Sequence, residues 1–106
     1  MADLRELQRL VSKVRRERGF TMDPLRIFVL LDEEVGEIAR ELKRTWSPNY
    51  EPFSKKDLED EIADTLACLL ALANQFEIDA EKALTEKLLR KNSQRKWKSA
   101  DMERHS

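Results

Sequence analysis

Apolar residues recur every three or four positions along most of this 106-residue chain, and only two glycines and three prolines interrupt them. That spacing is the period of an α-helix with a buried stripe. A sandwich or barrel needs alternating patterns and frequent turn residues, and a phosphate-cradling loop needs clustered glycine; the chain offers neither. Leu4, Leu7, Leu10, Val11 and Val14 predict a first helix over residues 2–18, ended by Gly19. Asp23-Pro24 gives a cap and a first-turn proline to a second helix that runs to about Arg44, with Ile27, Leu31, Val35, Ile38 and Leu42 on one face. Residues 45–53 hold Pro48 and Pro52 and form a loop. Ser54 and Asp57 make a capping-box-like pair for a third helix that reaches about Phe76. Asp79 caps a fourth, running into the early nineties and toward Trp97. The expectation is one all-α domain over residues 1–106, four-helix-bundle-like, with its core at about 4–97 and a frayed tail at 98–106.

Several functions are excluded early. Lys and Arg number 20 against 21 Asp and Glu, so no bulk charge draws the chain to nucleic acid or an anionic membrane. Cys68 is the sole cysteine and His105 the sole histidine, which argues against an internal disulfide, a CxxC zinc site, a Ser-His-Asp triad and the Glu-x-x-His of di-iron bundles. Asp3, Arg5 and Glu6 argue against a signal peptide, and the longest uncharged run, Thr65 to Phe76, is too short to span a bilayer. A cytoplasmic location is expected.

The carboxylates carry the sharper signal. Glu34 and Glu37 share a face of the second helix, and Glu61 and Asp64 share a face of the third. From Ile62 to Phe76 the only charged residue is Asp64, so it belongs to no solvated stripe. If the two helices are antiparallel neighbours, four carboxylates converge and repel until a cation compensates them. An all-oxygen donor set suits Mg²⁺ or Mn²⁺. For the Glu33–Glu37 stretch alone, an ordinary solvated face explains the spacing equally well. The same third helix is apolar nearly all round, which predicts cover by a partner subunit. Lys87, Arg90, Lys91, Arg95, Lys96 and Lys98 lie within twelve residues that hold no acid; they suit a polyphosphate opposite the metal, or simply a cationic helix end.

The ordered set Glu33-Glu34-Val35-Gly36-Glu37 and Glu61-Ile62-Ala63-Asp64, with 23 residues between Glu37 and Glu61, resembles the MazG family of nucleotide pyrophosphohydrolases, within the all-α NTP pyrophosphatase group. The late Lys87…Asn92…Arg95 pattern resembles it too, and the likeness covers about residues 4–97. The resemblance implies Mg²⁺-dependent hydrolysis of a nucleoside triphosphate to the monophosphate and pyrophosphate. It implies Glu34, Glu37, Glu61 and Asp64 as metal ligands, and Glu33 near a further metal or the attacking water. It implies Lys87, Asn92 and Arg95 near the phosphates, and a homodimer or homotetramer with sites near the subunit interface. Glu33 or Glu34 is the candidate proton acceptor. Family members that stack an aromatic on the base one turn after the Asp have here Cys68, so Trp46, Tyr50 or Phe53 is the candidate replacement. The competing reading is a non-catalytic helical dimer that binds a nucleotide or a protein.

Overall fold

The structure is a computed structural model and describes residues 2–91. The described residues are helical: α1 (Leu4–Glu17), α2 (Pro24–Lys43), α3 (Lys55–Gln75) and α4 (Ala80–Glu86), the last continuing as a π-helical turn over Lys87–Lys91. Local chemistry sets the ends. Asp3, Ser54 and Asp79 each accept a backbone N–H through the side chain, from Glu6, Asp57 and Lys82. Asp23 caps α2 with extended backbone alone and turns its carboxylate toward Arg26. Gly19 takes φ 68°, the Gly19 N–H reaches the Arg16 carbonyl and the Phe20 N–H reaches the Arg15 carbonyl. That is a Schellman turn, and it lays the Phe20 ring over the Arg15 guanidinium.

α3 is the central helix, flanked by α2 on one side and α1 on the other. Both neighbours run antiparallel to it: Arg44 at the end of α2 meets Asp57 at the start of α3, and Gln8 early in α1 meets Asn74 late in α3. The short α4 packs on the N-terminal end of α1, where Arg5 pairs with Asp79 and Glu81. Within one chain the fourth helix therefore extends the α1 side rather than closing a ring with α2.

The α2–α3 seam departs from the apolar stripe read from sequence. The shielded row of α2 is Ile27, Leu31, Glu34, Ile38, Glu41 and Arg44. Val35 and Leu42, assigned to that face by their character, are exposed. The facing row of α3 is Leu58, Glu61, Thr65 and Cys68. Charged residues thus occupy seam positions, and the apolar core is small, consisting of Ile27, Leu70 and Ala71. Meanwhile Ile62 and Leu69 on α3 are each 50% exposed, and Leu25 on α2 is 76% exposed.

Two polar clasps hold the helices in register. The Arg44 side chain is only 11% exposed and donates to the Glu41 and Asp57 carboxylates and to the Glu51 and Pro52 carbonyls. It closes the loop between α2 and α3. At the other end the buried Gln8 amide donates to Asn74 Oδ1 at 3.0 Å and to the Ile78 carbonyl at 2.8 Å, and accepts from the Ala80 N–H at 3.0 Å. Gln8→Ala strands those groups without partners, so we expect a loss of about 2–4 kcal/mol in urea unfolding, whereas an effect below about 1 kcal/mol would mean water replaces the amide freely.

Candidate functional site

Glu34 and Glu61 stand opposite each other in the seam, and Asp64 lies one turn along α3 from Glu61. Each offers a carboxylate oxygen within 4.8 Å of the other two. The grouping follows from the antiparallel pairing that the Arg44 clasp fixes, because each seam residue then faces a defined partner. Glu61 bears most of the strain. Its Oε2 is buried and has no hydrogen-bond partner among the described residues. Burial, a hydrogen bond with Glu34 and the charges of Glu34, Asp64 and Glu37 push its carboxyl up to about 7 from an ordinary 4.5. A proton held on Glu61 relieves part of this at low pH; a divalent cation would relieve it at higher pH. The orphaned oxygen and the all-oxygen donor set both fit a hard ion such as Mg²⁺ or Mn²⁺.

Not every sequence candidate joins the group. Glu37 is exposed and outside the three: α2 and α3 are antiparallel, so the step from Glu34 to Glu37 and the step from Glu61 to Asp64 run in opposite directions along the seam, and Glu37 lies at the far side of the Glu34–Glu61 level from Asp64. Its charge still contributes to the Glu61 shift. Glu33 is exposed beside Glu34 on the outer side of α2. Trp46 is 70% exposed in the turn after α2, at the loop end and away from the acids. Lys87 is exposed in the turn after α4, on the side of α1 that carries Arg5, so one chain does not bring it beside the acids. Asn92 and Arg95 lie outside the described residues, as do Arg95's basic neighbours Lys96 and Lys98.

A pocket of about 630 Å³ adjoins the acids, with Glu34 and Asp64 in its wall. Val14, Arg15 and Phe20 from α1 and its exit turn line it opposite Leu30 of α2 and Cys68 of α3. Burial pushes the Cys68 thiol up, so it is an inert wall residue rather than a nucleophile. Arg15 and Phe20 escaped the sequence reading. The Arg15-to-Phe20 spacing across Gly19 was the available signal, since a Schellman turn brings those two positions together.

An all-α fold with an acidic seam between two antiparallel helices defines the class of the protein, and comparison places it. The family model of the MazG nucleotide pyrophosphohydrolase domain matches residues 22–98, and the chain belongs to that family. The match takes in α2, α3 and α4 and leaves out α1. The chain is also similar to YpjD, an uncharacterized protein of Bacillus subtilis (strain 168), at 39% identity over 62 residues, 57% of this chain and 56% of that protein. The matched stretch thus spans about half of that relative's length.

The raised Glu61 carboxyl has a consequence for stability. Between about 4.5 and about 7 the folded chain keeps a proton that the unfolded chain has released. Stability of the metal-free protein therefore falls as pH rises through that window and levels off above it. Urea melts in EDTA across the window should show this slope. Glu61→Gln should flatten it, and Mg²⁺ should restore the stability lost at high pH. A slope that survives in Glu61→Gln would assign the titration to another group.

Proposed function

We propose that this protein is a divalent-metal-dependent hydrolase that converts a nucleoside triphosphate to the monophosphate and pyrophosphate. The observation that carries the reading is the grouping of Glu34, Glu61 and Asp64, with one carboxylate oxygen from each within 4.8 Å of the others; beside it, a buried Glu61 oxygen has no hydrogen-bond partner among the described residues. The family membership supports the same reaction class. Glu34, Glu61 and Asp64, with Glu37 from the next turn of α2, would hold Mg²⁺ or Mn²⁺. When bound, the ion supplies charge neutralisation at the phosphate oxygens and makes a water more acidic. Glu34, or Glu33 beside it, accepts the proton of the attacking water, and the pyrophosphate leaves. Lys87, Asn92 and Arg95 would offset charge on the phosphoryl oxygens. Because Lys87 sits away from the acids within one chain, this role calls on a second subunit.

The same reading makes the protein a homodimer or homotetramer, located in the cytoplasm, where a free thiol such as Cys68 stays reduced. Ile62, Leu66 and Leu69 form an outward apolar stripe on α3 at helical spacing, and Leu25, Phe28 and Val29 are exposed on α2. Burying such stripes gains about 25 cal/mol per Å². Among the described residues no helix is long and apolar enough to cross a membrane, so a lipid bilayer is not the cover we propose. Light scattering at micromolar concentration should give a multiple of 12.5 kDa, and Leu69→Glu should lower it. A wild-type particle of 12.5 kDa would refute the assembly.

Pyrophosphate release from a panel of nucleoside triphosphates, with and without Mg²⁺, tests the activity. Asp64→Asn tests the site. No cation lies within ion-pair distance of Asp64 among the described residues, so removing its charge strands no buried partner. The variant should melt at or slightly above the wild-type temperature in EDTA, and should lose activity by at least about 100-fold. A variant that melts far lower in EDTA yet keeps its activity would make Asp64 a structural residue.

A further inference from the structure

We propose that the pocket between α1, α2 and α3 receives the part of the substrate beyond its phosphates, and that Arg15 selects there for a ring bearing an oxo group. The proposal rests on the hydrolase reading for what the substrate is. Its own support comes from different residues. Glu34 and Asp64 form one wall, so a nucleotide whose phosphates lie at the acids has this space beside it. At about 630 Å³ the pocket falls within the range of small-ligand sites. Val14, Leu30 and Phe20 give it apolar walls suited to a flat ring, and the small Cys68 side chain leaves room one turn beyond Asp64.

Arg15 is the exceptional member. It is 8% exposed, yet it has no ion pair among the described residues. Its Nη2 donates to the Thr21 carbonyl at 3.0 Å, its guanidinium lies 5.3 Å from the Phe20 ring centre, and its Nε has no acceptor. A guanidinium carries five N–H donors and no acceptor, so a buried one with donors unspent is costly until an acceptor arrives. A ring carbonyl oxygen is such an acceptor. An exocyclic amino group in the same place would set donor against donor. The pocket should therefore prefer a 6-oxopurine to a 6-aminopurine. α1 precedes the stretch matched by the family model, so Arg15 lies outside the residues that the match covers.

Calorimetric titration of the full protein with inosine monophosphate and with adenosine monophosphate, in Mg²⁺, tests the idea without requiring turnover. We expect inosine monophosphate to bind at least about tenfold more tightly, with the same preference in kcat/KM for the triphosphates. Arg15→Lys keeps the cation but loses the planar fork. It should bring the ratio toward one mainly by weakening the inosine nucleotide, in a protein whose helical circular dichroism is unchanged. Leu30→Trp, which narrows the pocket from the α2 side, should weaken both nucleotides. Equal affinities in the wild type, binding of neither, or an Arg15→Lys ratio equal to wild type would each overturn the proposal. Selective inosine monophosphate binding by a protein that releases pyrophosphate from no triphosphate would overturn the hydrolase reading and leave the pocket standing.

Discussion

Two carboxyl groups, Glu34 and Glu61, meet across the α2–α3 seam at positions where apolar side chains would ordinarily interlock. Packing two acids there forfeits hydrophobic burial and adds repulsion, and Asp64 worsens the balance. A protein this small has little apolar core to offset such a loss. The three helices are kept in register by other means: the Arg44 clasp closes the loop end of the α2–α3 seam, the Gln8–Asn74 clasp ties α1 to α3, and Leu70 and Ala71 on α3 are buried. These contacts fix the backbone while the acids remain under strain. That division between rigid ends and a frustrated middle is the arrangement expected when a charge-compensating ligand completes the structure.

Much of the fold was legible because its signals are local. Caps, the two loop prolines and Gly19 lie within a few residues of the bonds they govern, so the ends of α1, α2 and α3 could be read to within a residue or two. Face assignment was harder. Val35 and Leu42 fit an apolar stripe by character, but the shielded row passes through Glu34, Glu41 and Arg44 instead. Sequence reasoning equates apolar with inward, and that equation fails where an inward position carries chemistry. The same failure explains the outward Ile62 and Leu69, which an isolated chain leaves uncovered.

The candidate site divides along similar lines. Glu34, Glu61 and Asp64 could be brought together on paper from helical spacing and one assumption, that α2 and α3 are antiparallel neighbours. Glu37 follows the same spacing, yet in antiparallel helices the step from Glu34 to Glu37 runs opposite to the step from Glu61 to Asp64, and spacing within one helix does not show that. Arg15 and Phe20 could not be placed by any local rule. Their position beside the acids depends on the α1–α3 pairing, set by contacts such as Gln8 to Asn74 that join residues 66 apart in sequence.

The arginines near the seam explain why the strain has a direction. Arg44, at the loop end, spends its donors on two carboxylates and two carbonyls, so its charge is neutralised locally. Arg15, on the α1 side, has one carbonyl and a ring, and its charge is felt as far as Cys68. One border of the acidic patch is therefore closed and electrically quiet, while the other keeps unspent positive charge beside an open pocket. A metal at the acids would add positive charge on the same side. In the function proposed above, such a field would draw an anion in from the α1 side, with its most negative end toward the bound ion and its remainder toward Arg15. α1 thus does more than cover a helix: it sets a buried arginine, with no acid to pair with among the described residues, beside the acidic seam of α2 and α3.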